Sequence, residues 1–259
     1  MQTKTILVRG VKTRYFETSA SSEMPLILLH GWGSQAGRWQ EVMNMLEGKK
    51  IRAIALDLPG FGQSTTPAES WGLDEYANFI LDFLKSLRIE SFHLLGHSFG
   101  GRIAIKLAAQ KISNLEKLIL VASAGVTPRN KTRIFLYKFG TKLIKPIFSL
   151  PFLRMFADLA RKIIYKFSGS YDYYVQKGVM RETFRKVITE DLTPYLHKIT
   201  ASTCIIWGDK DKMTPLSDAH IMHRHIKNSQ LTIIENGNHS LNLQMPKRLA
   251  EEISNYVMT

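Results

Sequence analysis

The chain has 259 residues, 44% of them hydrophobic, one cysteine and a formal net charge of +13. That length can bury one large core, and no Gly/Ser-rich or Pro-rich linker divides it, so one domain with at most an insertion is expected. A lone thiol excludes a disulfide framework; with no basic-then-apolar leader and no apolar run long enough to span a bilayer, a cytoplasmic protein is the expectation.

In chain order, "TKTILVRG" and "VKTRYFETS" predict two strands joined near Gly10 as a hairpin, and "PLILLHG" from Pro25 predicts a third that ends at a glycine. A helix is expected over Ala36–Leu46, a strand over Ile51–Leu58, a helix over Leu73–Leu87 and a strand in "FHLLGH". Gly101–Gln110 reads as helix, "LEKLILVAS" and "STCIIWGD" as strands, Pro215–Ile226 as helix, "SQLTIIEN" as strand and Leu243–Val257 as a closing helix. Strands apolar on both faces and separated by helices imply an α/β fold: a mostly parallel, doubly wound sheet of about eight strands with helices on both faces. Ligands bind at the carboxyl ends of such strands. Cys204, inside "STCIIWG", reads as a buried strand thiol.

The rhythm breaks over residues 127–195, where amphipathic pieces are punctuated by Pro146, Pro151, Gly169 and Gly178. This predicts a helical cap (127–195) inserted into a core formed by residues 1–126 and 196–259. The cap holds fourteen Lys or Arg against five Asp or Glu, so nine of the thirteen net charges are local to it. A solvated lid face is the expected use of that charge, with weak peripheral contact to an anionic membrane as the alternative. No nucleic-acid-binding motif accompanies it, and no nucleic-acid partner is expected.

The stretch "LLGHSFGG" places Ser98 between Gly96 and Gly100, directly after a strand and before a helix. A turn that sharp strains the central residue and lifts its hydroxyl above the sheet edge, at a helix N-terminus that favours negative charge. This is a Gly-x-Ser-x-Gly nucleophile elbow.

With "LLHGWG", "DLPGFGQS", "GHSFGG", "WGDKDKMTP" and "GNH" in that order, the chain resembles the α/β-hydrolase family over nearly its whole length. The resemblance implies a serine hydrolase with a variable lid between the sixth and seventh strands. Serine needs a base and the base an orienting acid. His239, after the last predicted strand, is the expected base; Asp211, three residues after Gly208, is the expected acid, with Asp209 holding the strand end. Asn238 stands where relatives often have glycine.

The oxyanion donors implied are the backbone N–H groups of Phe99 and Trp32. Gly31 and Gly33 let that loop turn beneath a substrate. Their neighbours Trp32 and Phe99, with Tyr171 and Tyr174 from the cap, complete the expected pocket. His30 and Asp57 read as structural. His220, His223 and His225 share a helix without acidic or cysteine partners, so no metal site is expected, nor any cofactor.

A serine at the elbow excludes branches of the family that use an aspartate nucleophile. The expected activity is hydrolysis of carboxylic esters of small or medium acyl substrates through an acyl-enzyme, by a monomer or homodimer. Carbon–carbon bond hydrolysis, lactone opening or aminopeptidase action on the same triad, and ligand reception with little turnover, are the alternatives.

Overall fold

Strands β1 (Gln2–Val8) and β2 (Val11–Glu17) form the antiparallel hairpin expected at Gly10. Its turn residues Arg9 and Gly10 both have positive φ, 49° and 78°, the backbone sense that matches the twist of the flanking strands. The computed structural model describes residues 1–126 and 178–259. Most of the segment expected as a cap, with its basic surface and with Tyr171 and Tyr174, lies outside the described residues.

The remaining strands are β3 (Leu26–Leu29), β4 (Ala53–Leu56), β5 (Phe92–His97), β6 (Leu115–Val121), β7 (Ser202–Gly208) and β8 (Ser229–Ile234). They join one eight-stranded sheet in the order β1-β2-β4-β3-β5-β6-β7-β8. β2 meets β4 antiparallel, and every pairing from β4 to β8 is parallel. The chain runs from β3 outward to β4, then crosses back to place β5 on β3's other side. The carboxyl ends of β3 and β5 therefore flank the point where the winding reverses, the position at which such sheets form a ligand crevice.

Both faces of the sheet are covered, as the continuous apolar strands require. One face carries Leu28, Ala55, Leu95 and Ile206 against α1 (Gln40–Gly48), which follows a 3₁₀ turn at Ala36–Trp39, and against α8 (Pro246–Met258). The other carries Ile27, Leu56, Leu94 and Trp207 against α2 (Leu73–Ser86), α3 (Phe99–Ala108) and α6 (Leu216–His225). Each fully buried Leu or Ile contributes about 1.5–3 kcal/mol over its exposed state. The closing helix expected from Leu243 is two: α7 (Leu241–Gln244) stops at Met245 (φ −135°) and α8 begins at Pro246. Proline has no N–H to continue the first ladder but suits the first turn of the second.

Between β6 and β7, α4 (Gly178–Thr189) and α5 (Thr193–Leu196) are tied to the core. The Trp71 N–H donates to Thr183 Oγ1 (3.1 Å), and the Leu192 N–H to the Gly125 carbonyl (2.9 Å). On α3, the buried Lys106 ammonium meets the Glu190 and Asp74 carboxylates and donates to the Tyr195 hydroxyl, while Arg102 donates to the Glu190 carbonyl. Among the described residues, no helix is long and apolar enough to cross a membrane.

Helix α3 lies unusually close to the sheet because two glycines remove side chains from the contact. A Cβ on Gly100 would sit 2.6 Å from the Leu29 carbonyl carbon, and one on Gly96 2.6 Å from Gly101 Cα. Backbone cannot rotate away as a side chain can. Gly100→Ala is expected to destabilise by about 1–3 kcal/mol or more. Gly48→Ala, where nothing lies within 4 Å, should stabilise by about 0.4–1 kcal/mol. Urea unfolding midpoints of the two variants check the opposite signs.

Candidate active site

Ser98 has φ 52° and ψ −111°, a conformation that side-chain-bearing residues rarely adopt. Its surroundings hold it there. The Ser98 N–H donates to the Val121 carbonyl (3.2 Å), and its own carbonyl accepts from the N–H groups of Gly101 (3.0 Å), Arg102 (3.3 Å) and Ala124 (3.1 Å). Strain of this kind costs about 1–3 kcal/mol and persists only where neighbours over-determine it. Helix α3 starts at Phe99, two residues earlier than the periodicity predicts, so Ser98 is the residue that turns strand into helix.

The first N–H groups of a helix have no intrahelical acceptor. In α3, Gly100 spends its own on the His30 carbonyl (3.1 Å), and Gly101 and Arg102 spend theirs on Ser98. Among the described residues, the Phe99 N–H has no acceptor, and neither has that of Trp32. The Trp32 loop comes directly off β3, and a Cβ on Gly31 would lie 3.3 Å from Ser98 Cβ, so this backbone passes against the serine side chain. Gly33, at φ 67°, has open space around it.

The loop is anchored from below. The Ala36 N–H donates to Asp57 Oδ1 (2.7 Å), while Asp57 Oδ2 accepts from the Gln63 N–H (2.8 Å) and Arg14 Nε (2.7 Å). Asp57 is fully buried. It closes the turn after β4, as the sequence implies, and also fixes the far end of the Trp32 loop.

His239 and Asp211, 28 residues apart in sequence, meet with Nδ1 2.8 Å from Oδ2. Asp211 Oδ1 also accepts the N–H groups of Met213 (2.8 Å) and Thr214 (3.0 Å), and Oδ2 faces the Thr214 hydroxyl at 2.8 Å. Burial pushes this carboxyl up. The hydrogen bonds and charge from His239, with those from Thr214, outweigh burial and hold it below the usual range. Asp209, at the end of β7, is bonded through its N–H to the Ile234 carbonyl instead (3.2 Å).

His97 connects this pair to the elbow. Its Nε2 lies 2.8 Å from the His239 carbonyl oxygen and the two rings are 5.0 Å apart, so the residue before Ser98 fixes the backbone that carries His239. Among the described residues, no hydrogen bond joins Ser98 Oγ to the His239 ring; such contacts often tighten only when substrate binds.

Above the serine side of the crevice, the Trp32 ring packs against Phe61 (4.8 Å), Phe99 (5.1 Å) and Phe184 of α4 (4.8 Å). Phe61, Phe184, His97 and Thr214 were not among the expected site residues. Thr214 had one local signal, a hydroxyl three residues after an aspartate; the others are joined to the site only by the fold.

Residues 24–246 match a family described as alpha/beta hydrolase fold. The uncharacterized hydrolase YugF of Bacillus subtilis is 26% identical over 269 residues, covering 96% of each chain. Human monoacylglycerol lipase ABHD6 is 25% identical over 253 residues, 90% of this chain and 74% of the lipase. The solved structure of the esterase EaEST from Exiguobacterium antarcticum has a TM-score of 0.76 at 26% identity and covers 100% of both chains. With that match running from before β3 to the start of α8, over a sheet whose winding reverses beside a strained Ser98, the chain belongs to the α/β-hydrolase family.

Proposed function

We propose that this protein is a carboxylic ester hydrolase acting on small-molecule acyl substrates, with Ser98 as nucleophile, His239 as base and Asp211 as orienting acid. The observation that carries the reading is the 2.8 Å contact between His239 and an ionised, buried Asp211, on a loop tied to the elbow through His97. The likeness to a monoacylglycerol lipase and to an esterase favours ester substrates.

Ser98 Oγ attacks the ester carbonyl carbon while its proton passes to His239 Nε2. The N–H groups of Phe99 and Trp32 receive the oxygen that becomes negative; each such donor is worth about 2.7–4 kcal/mol. The carbon–oxygen bond breaks and the leaving alkoxide takes the proton from His239. Water then gives a proton to the same nitrogen and attacks the acyl-enzyme, and Ser98 regains its hydrogen as the acid departs. Asp211 stays ionised throughout, holding the Nδ1–H tautomer and stabilising the imidazolium. The Trp32, Phe61, Phe99 and Phe184 rings offer an apolar wall to the acyl group.

Short-chain nitrophenyl esters test this directly. Asp211→Asn should lower kcat on the order of 10⁴-fold by favouring the wrong tautomer, and Ser98→Ala on the order of 10⁶-fold. Unchanged turnover in Ser98→Ala would sink the reading. In wild type, kcat/KM should fall as acid is added, because an imidazolium cannot accept the serine proton.

A separate consequence concerns stability. Ser98→Gly releases the strained backbone at φ 52°, so it should be inactive yet more stable by about 1 kcal/mol, the relief of strain less glycine's added unfolded-state entropy. Thermal unfolding of Ser98→Gly beside Ser98→Ala separates the backbone effect from loss of the hydroxyl.

A further inference from the structure

His30 is fully buried just beyond β3, and its two ring nitrogens have different partners. Nε2 lies 3.0 Å from the Leu58 backbone nitrogen and Nδ1 lies 2.7 Å from the Gly31 carbonyl oxygen. A backbone N–H only donates and a carbonyl only accepts. Nε2 is therefore the acceptor and the ring proton sits on Nδ1, donating to Gly31; one neutral tautomer satisfies both contacts and no other does.

The Gly31 carbonyl belongs to the same planar peptide as the Trp32 N–H. In a trans peptide, the C=O and N–H point in opposite directions, so fixing one aims the other. The carbonyl is held twice, by His30 Nδ1–H and by the Ser34 N–H at 3.2 Å. Its peptide passes against the Ser98 side chain, since a Cβ on Gly31 would lie 3.3 Å from Ser98 Cβ.

We infer that His30 is a positioning residue of the oxyanion site: its Nδ1–H tautomer clamps the Gly31–Trp32 peptide so that the Trp32 N–H is presented to the oxygen that becomes negative beside Ser98. The inference rests on the proposed serine chemistry and gives His30 more than a packing role. A hydrogen bond accepted by the carbonyl also polarises the peptide and strengthens the N–H at its other end.

The clamp requires an uncharged ring. A proton added at Nε2 would face the Leu58 N–H, donor against donor. Burial pushes His30 down to about 4, partly opposed by its hydrogen bond to Gly31 and by the Asp57 charge. The groups around it are Asp57 after β4, Arg14 of β2 paired to that carboxylate at 2.7 Å, and His97 of β5, itself held neutral by burial. Phe61 presents its ring edge-on at 5.6 Å.

Two substitutions separate the clamp from packing. His30→Asn can keep an N–H near the Nδ1 position, while His30→Gln reaches only the Nε2 position. Each is measured for kcat and KM on a nitrophenyl ester, and for affinity to a trifluoromethyl ketone, whose adduct with Ser98 carries an oxyanion. The expected result is a kcat loss of about 10-fold or more in the Gln variant, with KM little changed, ketone affinity weakened by a similar factor, and substantial recovery in Asn.

Equal losses in both variants, or an effect on KM alone, would overturn the clamp while leaving the ester reading intact. A wild type that neither turns over the ester nor binds the ketone would overturn that reading and the clamp with it. Should neither variant fold, nitrogen NMR of wild type decides: a neutral Nδ1-protonated His30 that persists to about pH 5 supports the clamp. An Nε2-protonated ring overturns it.

Discussion

The site depends on one steric fact, the contact of helix α3 with the backbone of β3 and β5 through Gly100 and Gly96. Because the helix sits that low, the chain has a single residue in which to turn from strand to helix, and that residue is Ser98. The same turn consumes the N–H groups of Gly100, Gly101 and Arg102 locally and leaves that of Phe99 without an acceptor among the described residues. The turn at Ser98, its backbone strain and the available Phe99 N–H are thus consequences of one close approach. Its cost, about 1–3 kcal/mol of strain at Ser98, is offset by four backbone hydrogen bonds to that residue and by the buried strands beneath it.

The other half of the site is assembled from polar groups that the sheet's carboxyl edge brings within reach. Asp57 and Asp211 are both buried carboxylates, yet they serve different loops. Asp57 is surrounded by Arg14 and by N–H groups from the loops after β3 and β4, which makes it an anchor for backbone. Asp211 has two N–H groups on one oxygen and a hydroxyl and an imidazole on the other, which leaves it directed at His239. Their partners, not their burial, distinguish their roles. The attachment of α4 and α5 to α3 through Lys106, Arg102 and Glu190 extends the same logic: the helix that begins directly after Ser98 also anchors the two helices that precede β7.

Much of this was legible in the sequence because it is periodic or local. Runs such as "LILL" and "AIAL" are apolar at every position, which only a strand covered on both faces tolerates. The Arg9–Gly10 turn and the Gly96–Ser98–Gly100 spacing are likewise local signatures. What was not legible depends on contacts between distant residues. His97 reaches His239 across 142 positions and the Trp71 N–H reaches Thr183 across 112, and neither link leaves a pattern in the intervening chain. Phe184 reads as one apolar residue of an amphipathic helix until the fold sets it 4.8 Å from Trp32. The break before Pro246 had a local signal in the proline itself, but the apolar spacing runs through it and suggested one helix.

Burial of neutral histidines links the site to the stability of the whole protein. His30 and His97 are each pushed down to about 4 by desolvation, whereas in an unfolded chain they bind protons near the ordinary value of about 6.5. Between those values the unfolded state holds more protons than the folded one, so stability falls as acid is added through that interval. Asp211 acts in the same direction at lower pH. Its carboxyl is held below the usual range, so its contribution is present above the unfolded carboxylate value and is lost as pH falls through the folded one. Acid therefore also loosens the fold around Ser98: a proton added to the buried His30 ring sets a second N–H against that of Leu58 and unseats the loop after β3.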